Sequence, residues 1–360
     1  MRLFQNSGIS RTYRHRLNAL ADNCGSFSQR RKVFLSDRYG APHFLAPVLD
    51  NVEWAFFTNG DDEIQQRMWA SERGLSPRSA LEDILLAQIE DHRSEIFYNL
   101  DPIRFGSGFV KRLPRCVKKS VCWRAAPASD VDLTGYDLVV SNFPSINRQW
   151  ETQGCRTALF FPAHDPILDS YACNVPRPID VLFVGGYTRH HRQRAKVLEK
   201  VAEIANGMTI VYCFDSSRPT QIAESLIGHL LPVKHLRRPI AIRKVSRPPV
   251  FGIDLYRILS QSKIVLNGAV DMAQAERGNM RCFEAMGARC LLLSDAGRYP
   301  VGLVEGENLL TYESGDDAVK IIRACLKQGD VMDRIAAAGY STVSSIYSKT
   351  AQWSAFNRLL

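Results

Sequence analysis

The stretch ERGNMRCFEAMGARCLLLSD, residues 276–295, sets two glutamates, Glu276 and Glu284, on either side of an Asn-Met-Arg turn. Asn279 is a favoured N-cap residue, so a helix is expected to begin at Met280. Cys290 to Leu293 is an apolar run of strand length that ends at Ser294-Asp295. A loop, a helix and a buried strand in that order form the closing half of a βαβ unit and place the chain in the α/β class. The start of a helix leaves backbone N–H groups without intrahelical partners, and the helix dipole adds positive potential there. The backbone N–H groups of Met280 to Phe283 are therefore expected to face an anion such as a diphosphate. Glu284, about one turn into the helix, presents two acceptor oxygens that suit a vicinal diol. Glu276, in the loop ahead, is placed to accept a sugar hydroxyl or to favour positive charge at an anomeric carbon. The spacing alone is weak evidence, because two glutamates this far apart recur by chance and Glu284 equally suits a surface helix.

Upstream of this stretch the chain alternates short apolar runs with helical spacing. Val181 to Val184 is a buried strand ending at Gly185-Gly186, and a basic helix follows from about Arg192 to Ile204. Open α/β sheets bind ligands at such strand ends, so Gly185, Gly186, Arg189 and Arg192 join the candidate binding residues. The two glycines do not form a G-x-G-x-x-G dinucleotide fingerprint. Further strands are expected at Thr209 to Phe214, Lys263 to Leu266 and Leu309 to Tyr312, with 231–249 irregular. In the first half, strands are expected at 1–6, 32–35, 53–58, 95–99, 120–123, 137–141 and 157–161, separated by helices. Residues 162–180, PAHDPILDSYACNVPRPID, hold four prolines and little periodicity, which marks a linker. His164 within it is a candidate general base, although a structural contact is the commoner fate of a linker histidine.

The expected architecture is two Rossmann-like, doubly wound domains facing across a cleft. Residues 1–165 would form the first domain and 166–345 the second, with 346–360 a terminal helix that crosses back to the first.

Composition limits the partners. The net charge is +9. Residues 177–263 hold 15 Lys and Arg against 6 Asp and Glu, whereas residues 1–165 are nearly balanced at 21 against 19. A basic block of this kind suits a phosphorylated ligand or an anionic lipid surface. Its strongest run, KHLRRPIAIRKVSRPP at 234–249, lacks the interleaved aromatics of a nucleic-acid site, so no nucleic-acid partner is expected. No apolar run is long enough to cross a membrane, and the polar start MRLFQNSG does not suit a signal peptide. Nine cysteines without regular spacing imply reduced thiols and no metal site. The expected location is the cytoplasm, with peripheral contact at the inner membrane face through 234–249.

The 276–295 stretch, with Glu305-Gly306-Glu307-Asn308 and Leu309 to Tyr312, resembles the C-terminal domain of CgeB-type, spore-maturation-protein-like glycosyltransferases. More distantly it is similar to the group-1 retaining glycosyltransferases of GT-B fold, with their E-x7-E signature. The resemblance spans roughly 180–348 and includes DVLFVGG, GIDLYRILSQSKIVLN and RIAAAGYSTV. It implies a transferase that takes a sugar from a UDP- or GDP-linked donor to an acceptor, with retention and without a metal or other cofactor. Glu284 would hold the ribose, Glu276 would approach the transferred sugar, and Asn279, Met280 and Arg281 would line the diphosphate. Two other classes stay open: a GT-B-shaped sugar-nucleotide-binding scaffold without activity, and a sugar-nucleotide epimerase. One departure stands out, since many members of the family carry glycine where this chain has Arg289.

Overall fold

The computed structural model describes the chain except residues 129, 174–175, 188–191, 216–217, 226–231, 234–235 and 269–273. It divides into two compact units, Met1–Ala163 with Lys349–Leu360, and His164–Ser348.

The first unit holds six parallel strands: β1 (Leu3–Asn6), β2 (Ala55–Thr58), β3 (Ile96–Asn99), β4 (Lys119–Trp123), β5 (Leu138–Ser141) and β6 (Thr157–Leu159). They lie in the order β2-β1-β3-β4-β5-β6. β1, β3 and β5 are buried along their whole length, as strands covered by helices on both faces must be. The strand expected at 32–35 does not form. Those residues lie inside the helix Phe27–Asp37, which Ser26 caps by accepting a hydrogen bond from the Gln29 N–H. A four-residue apolar run is ambiguous between strand and helix, and here the cap and the buried face of Phe27, Arg30 and Phe34 decide for helix. Arg30 is itself buried and paired with Asp62 at 2.6 Å.

The C-terminal helix Lys349–Leu359 belongs to this unit. The buried Lys349 ammonium donates to the carbonyl oxygens of Ala41 (2.7 Å), Pro42 (3.1 Å) and Phe44 (2.6 Å). Gln352 donates to the carbonyls of Pro42 and Phe161. Burial, reinforced by the Lys349 charge, pushes the His43 imidazole down to about 3, so His43 is neutral beside the lysine.

The second unit repeats the plan with β7 (Ile179–Gly185), β8 (Ile210–Phe214), β9 (Ser246–Arg247), β10 (Ser262–Leu266), β11 (Leu291–Asp295) and β12 (Leu310–Tyr312). All are parallel, in the order β12-β11-β10-β7-β8-β9. One face of this sheet buries Val181, Phe183, Tyr212, Phe214, Ile264, Leu266, Leu291 and Leu293 against Val197, Leu198 and Val201 of the helix Arg192–Glu203 and Ile322 of Gly315–Lys327. The 231–249 segment, expected to be irregular, contains the helix Ile240–Val245 and the edge strand β9. The chain leaves β7 toward β8 and β9, then returns to place β10 on the opposite side of β7. That reversal opens a crevice at the C-terminal ends of β7 and β10, where doubly wound sheets bind ligands.

Candidate donor site

Gly185 ends β7 and Asn267 follows β10, so both sit at the reversal. Gly186 is the next residue after β7 and is half-buried. Asn267 was not singled out from the sequence, yet it ties the crevice together. Its N–H donates to the Leu293 carbonyl at 2.8 Å, and its side-chain amide donates to Ser294 Oγ at 3.0 Å. Its backbone carbonyl accepts from the Tyr312 hydroxyl at 2.6 Å, and its Oδ1 accepts from Asn279 Nδ2 at 3.2 Å. The available signal was an asparagine followed by glycine directly after an apolar strand.

That last bond changes the expectation for Asn279. The residue occupies the N-cap position with extended backbone, φ −63° and ψ 167°, but its side chain makes no capping bond. Drawn toward Asn267, it leaves the first-turn N–H groups of the helix Met280–Gly287 without a side-chain cap. Met280 and Arg281 follow on this open turn.

Two glutamates flank the turn, and both are buried. Glu284 is 2% exposed, and its Oε2 accepts from Arg281 Nη1 at 2.6 Å. Burial raises the pKa of Glu284, the Arg281 charge works against that shift, and nearby Asp165 adds to it. Asp165 is held by the Tyr256 hydroxyl at 3.1 Å. The Nε of Arg281 is buried and lacks a hydrogen-bond partner among the described residues. A buried guanidinium N–H left over in this way is open to an acceptor that the described residues do not supply.

Glu276 is 4% exposed and sits in a loop pinned to residue 298. Arg277 N–H donates to the Arg298 carbonyl, and Arg298 N–H donates to the Ala275 carbonyl. The Arg298 guanidinium lies 3.5 Å from Glu276 Oε1, and Arg277 pairs with Asp295 at 2.6 Å. The loop needs glycine at 278, where φ is +107° and a Cβ would stand 2.6 Å from Pro300. Beside it, Arg277, Asp295, Gly268, Tyr312 and Arg194 line a cavity of about 350 Å³. Arg277 and Arg298 were missed in the sequence because arginines are frequent in this chain and neither spacing marked them.

Three other candidates fall elsewhere. His164 packs at the far end of the Met280–Gly287 helix, where a Cβ on Gly287 would stand 2.7 Å from its Nδ1. Its Nε2 shares a hydrogen bond with Asp169 Oδ1 at 2.8 Å, and Tyr340 donates to the same oxygen. An eight-residue helix is about 12 Å long, so the structure does not bring His164 to Glu276. Arg192 is exposed and lines a separate basic cavity beside the helix Ile240–Val245. Arg189 lies outside the described residues.

The closed end of the motif helix accounts for Arg289. Cys290 N–H donates to the Ala285 carbonyl and Arg289 N–H to the Met286 carbonyl, the two bonds of a Schellman cap. This cap requires a left-handed residue, and Arg289 has φ +55°. Glycine is the residue that adopts that backbone at least cost.

Two parallel doubly wound sheets with this site at the second reversal define the fold class as GT-B. The protein-family model described as "Glycosyl transferase-like" matches residues 223–356. Among solved structures the chain is similar to Anabaena Alr3699/HepE in complex with UDP and glucose, with TM-score 0.59, 12% identity, and 100% of this chain and 99% of that one covered. It is also similar to a glycosyltransferase from Rickettsia africae ESF-5, with TM-score 0.54, 10% identity and coverage of 99% and 97%. A third likeness is to TarM, with TM-score 0.52, 12% identity and coverage of 78% and 58%. No curated protein matches the sequence.

Proposed function

We propose that the protein is a metal-independent, retaining glycosyltransferase of the CgeB-type kind that uses a nucleotide-diphosphate sugar and binds it in the second unit. The observation that carries this reading is the uncapped start of the Met280–Gly287 helix, flanked by two buried glutamates and the orphaned Arg281 Nε. In this reading the open N–H groups and Arg281 bind the diphosphate, replacing a metal as the neutralising charge. Glu284 accepts hydrogen bonds from the ribose diol. Glu276, held by Arg298, faces the transferred sugar and favours positive charge as the anomeric bond breaks. Gly185 and Gly186 let the donor approach β7 closely. His164 braces the closed end of the helix and takes no proton. The UDP bound in the Anabaena structures makes a UDP-sugar the first donor to test, with GDP-sugars second.

Thermal unfolding with a panel of nucleotide sugars tests donor binding. A ligand at 100 times its Kd stabilises the folded state by about 2.7 kcal/mol, a clear rise in Tm. No rise with any UDP- or GDP-sugar sinks the reading. Turnover then separates the classes. A transferase consumes donor only with an acceptor or slowly with water, an epimerase makes product with no acceptor, and a scaffold leaves the donor unchanged.

A further inference from the structure

The charge excess of the second unit collects in one place that the donor reading leaves unused. Between the helices Arg192–Glu203 and Ile240–Val245 lies a cavity of about 770 Å³, lined by Arg192, Lys196, Arg237, Arg238 and Arg243 together with Tyr187. Among the described residues Glu199 is the one carboxylate in its lining, and it already accepts a hydrogen bond from the Tyr187 hydroxyl at 2.5 Å. Arg238 is neutralised from outside the cavity by Glu224 at 2.5 Å and lies over the Phe214 ring. Arg192, Lys196 and Arg243 have no ion-pair partner among the described residues, and the Nε of Arg243 is buried without a hydrogen bond.

Cations gathered around one concavity repel each other, and that cost is recovered when an anion enters. Forked guanidinium donors match the oxygens of a phosphoryl group, which accepts several charge-assisted bonds at once. At the rim, Ile240 is 64% exposed between Pro239 and the basic side chains. Apolar and basic groups side by side fit a phosphate carried on a greasy support as well as a free one.

We propose that this cavity is a second anion site, adjoining the donor-side cavity at Lys196 but distinct from it, which binds a phosphoryl group through Arg192, Arg237 and Arg243. The group comes from a phospholipid headgroup or from a soluble phosphate compound, and the two sources give different results. Full-length protein is titrated with inorganic pyrophosphate, and its flotation is measured with phosphatidylcholine vesicles that contain or lack phosphatidic acid. The test variant carries Arg192→Glu and Arg243→Glu, two residues that line this cavity and not the donor-side one. The control carries Lys320→Glu and Lys327→Glu, which make the same change in net charge at exposed positions of another helix. Binding of pyrophosphate that drops about tenfold or more in the test variant alone supports the site with a soluble ligand. Flotation only with phosphatidic acid, lost in the test variant alone, supports it with a lipid headgroup. Should the charge-reversed variant fail to fold by circular dichroism, Arg192→Gln with Arg243→Gln takes its place. The proposal is overturned if neither probe binds, or if test and control variants lose binding equally. It is also overturned if the test variant loses stabilisation by nucleotide sugars in step with pyrophosphate, since the cavity would then be part of the donor site. Absence of donor binding in every sample, with pyrophosphate binding intact, would overturn the transferase reading and leave this one standing.

Discussion

Both units are six-stranded parallel, doubly wound sheets, but the chain reverses after two strands in the first and after three in the second, and the units differ in what they place at the reversal. In the first, β1 is flanked by β2 and β3, and the strand ends open on a cavity of about 550 Å³ lined by Gly8, Asp61, Asp101 and Arg104. Burial pushes the Asp61 carboxyl up to about 6, against the pull of Arg14, and Asp101 lies close enough to add to the rise. In the second unit the equivalent crevice holds an asparagine hub, an open helix start and Arg281. The fold fixes where each crevice lies, and a few side chains after the strands give the first two aspartates beside Arg104 and the second an uncapped helix start with Arg281 paired to Glu284. The fold class alone therefore does not assign a diphosphate to one unit, and the proposed assignment rests on these local differences.

Several experiments can break or sharpen this contrast, and the largest effect is expected at Glu276. Glu276→Gln keeps the loop hydrogen bonds to residue 298 but removes the negative charge, so transfer should fall by about 100-fold or more with donor Kd little changed. Full activity in steady-state assays would remove Glu276 from the mechanism. Asp61→Asn, at the other reversal, should leave donor binding untouched. If it abolishes donor stabilisation, the assignment of the nucleotide to the second unit fails.

Next in size is the anchor of the first unit. Lys349→Ala strips a buried ammonium from three carbonyl oxygens and should cost about 2–4 kcal/mol in denaturant unfolding. A loss within the error of such a measurement would show that water replaces the amine.

Glu284 supplies a pH test of the crevice in the second unit. Its pKa is raised in the folded protein without ligand, chiefly by burial, so the carboxyl holds its proton to higher pH than an exposed glutamate does. A ribose diol donates to the ionised form and releases that proton, so donor affinity should rise with pH until the raised pKa is passed and then level off. Glu284→Gln should weaken binding by about tenfold and flatten that dependence, as calorimetry at several pH values would read. The smallest effect is expected at Arg289. Arg289→Gly relieves a left-handed arginine in the Schellman cap and should stabilise by about 0.5–1 kcal/mol without changing turnover. A loss of stability there would show that the arginine side chain outweighs its backbone strain.

Much of this was readable before any coordinates. The alternation of apolar runs and helical spacing, the proline-rich stretch near 164 and the glycine after β7 depend on neighbours close in sequence, and local patterns report those. The error at 32–35 arose where a four-residue run suits either periodicity and the deciding contacts, Ser26 to Gln29 and Arg30 to Asp62, lie outside the run. Arg289 shows a middle case. The glycine that many family members carry at this position marked it as a departure, and the φ of +55° gives that departure a geometry.

By itself, the sequence determined the α/β class, the two sheets and the helix that starts at Met280, because periodicity, caps and glycines act within a few residues. Tertiary structure alone decided that Asn267 would draw Asn279 from its capping role and that Arg298 would hold Glu276. It also separated His164 from Glu276 by the length of a helix and gathered five cations around one cavity. Asn267 and Asn279, Arg298 and Glu276, and the two helices that line the basic cavity are each more than ten residues apart, and only the folding of the sheet brings their charges and hydrogen-bonding groups within reach.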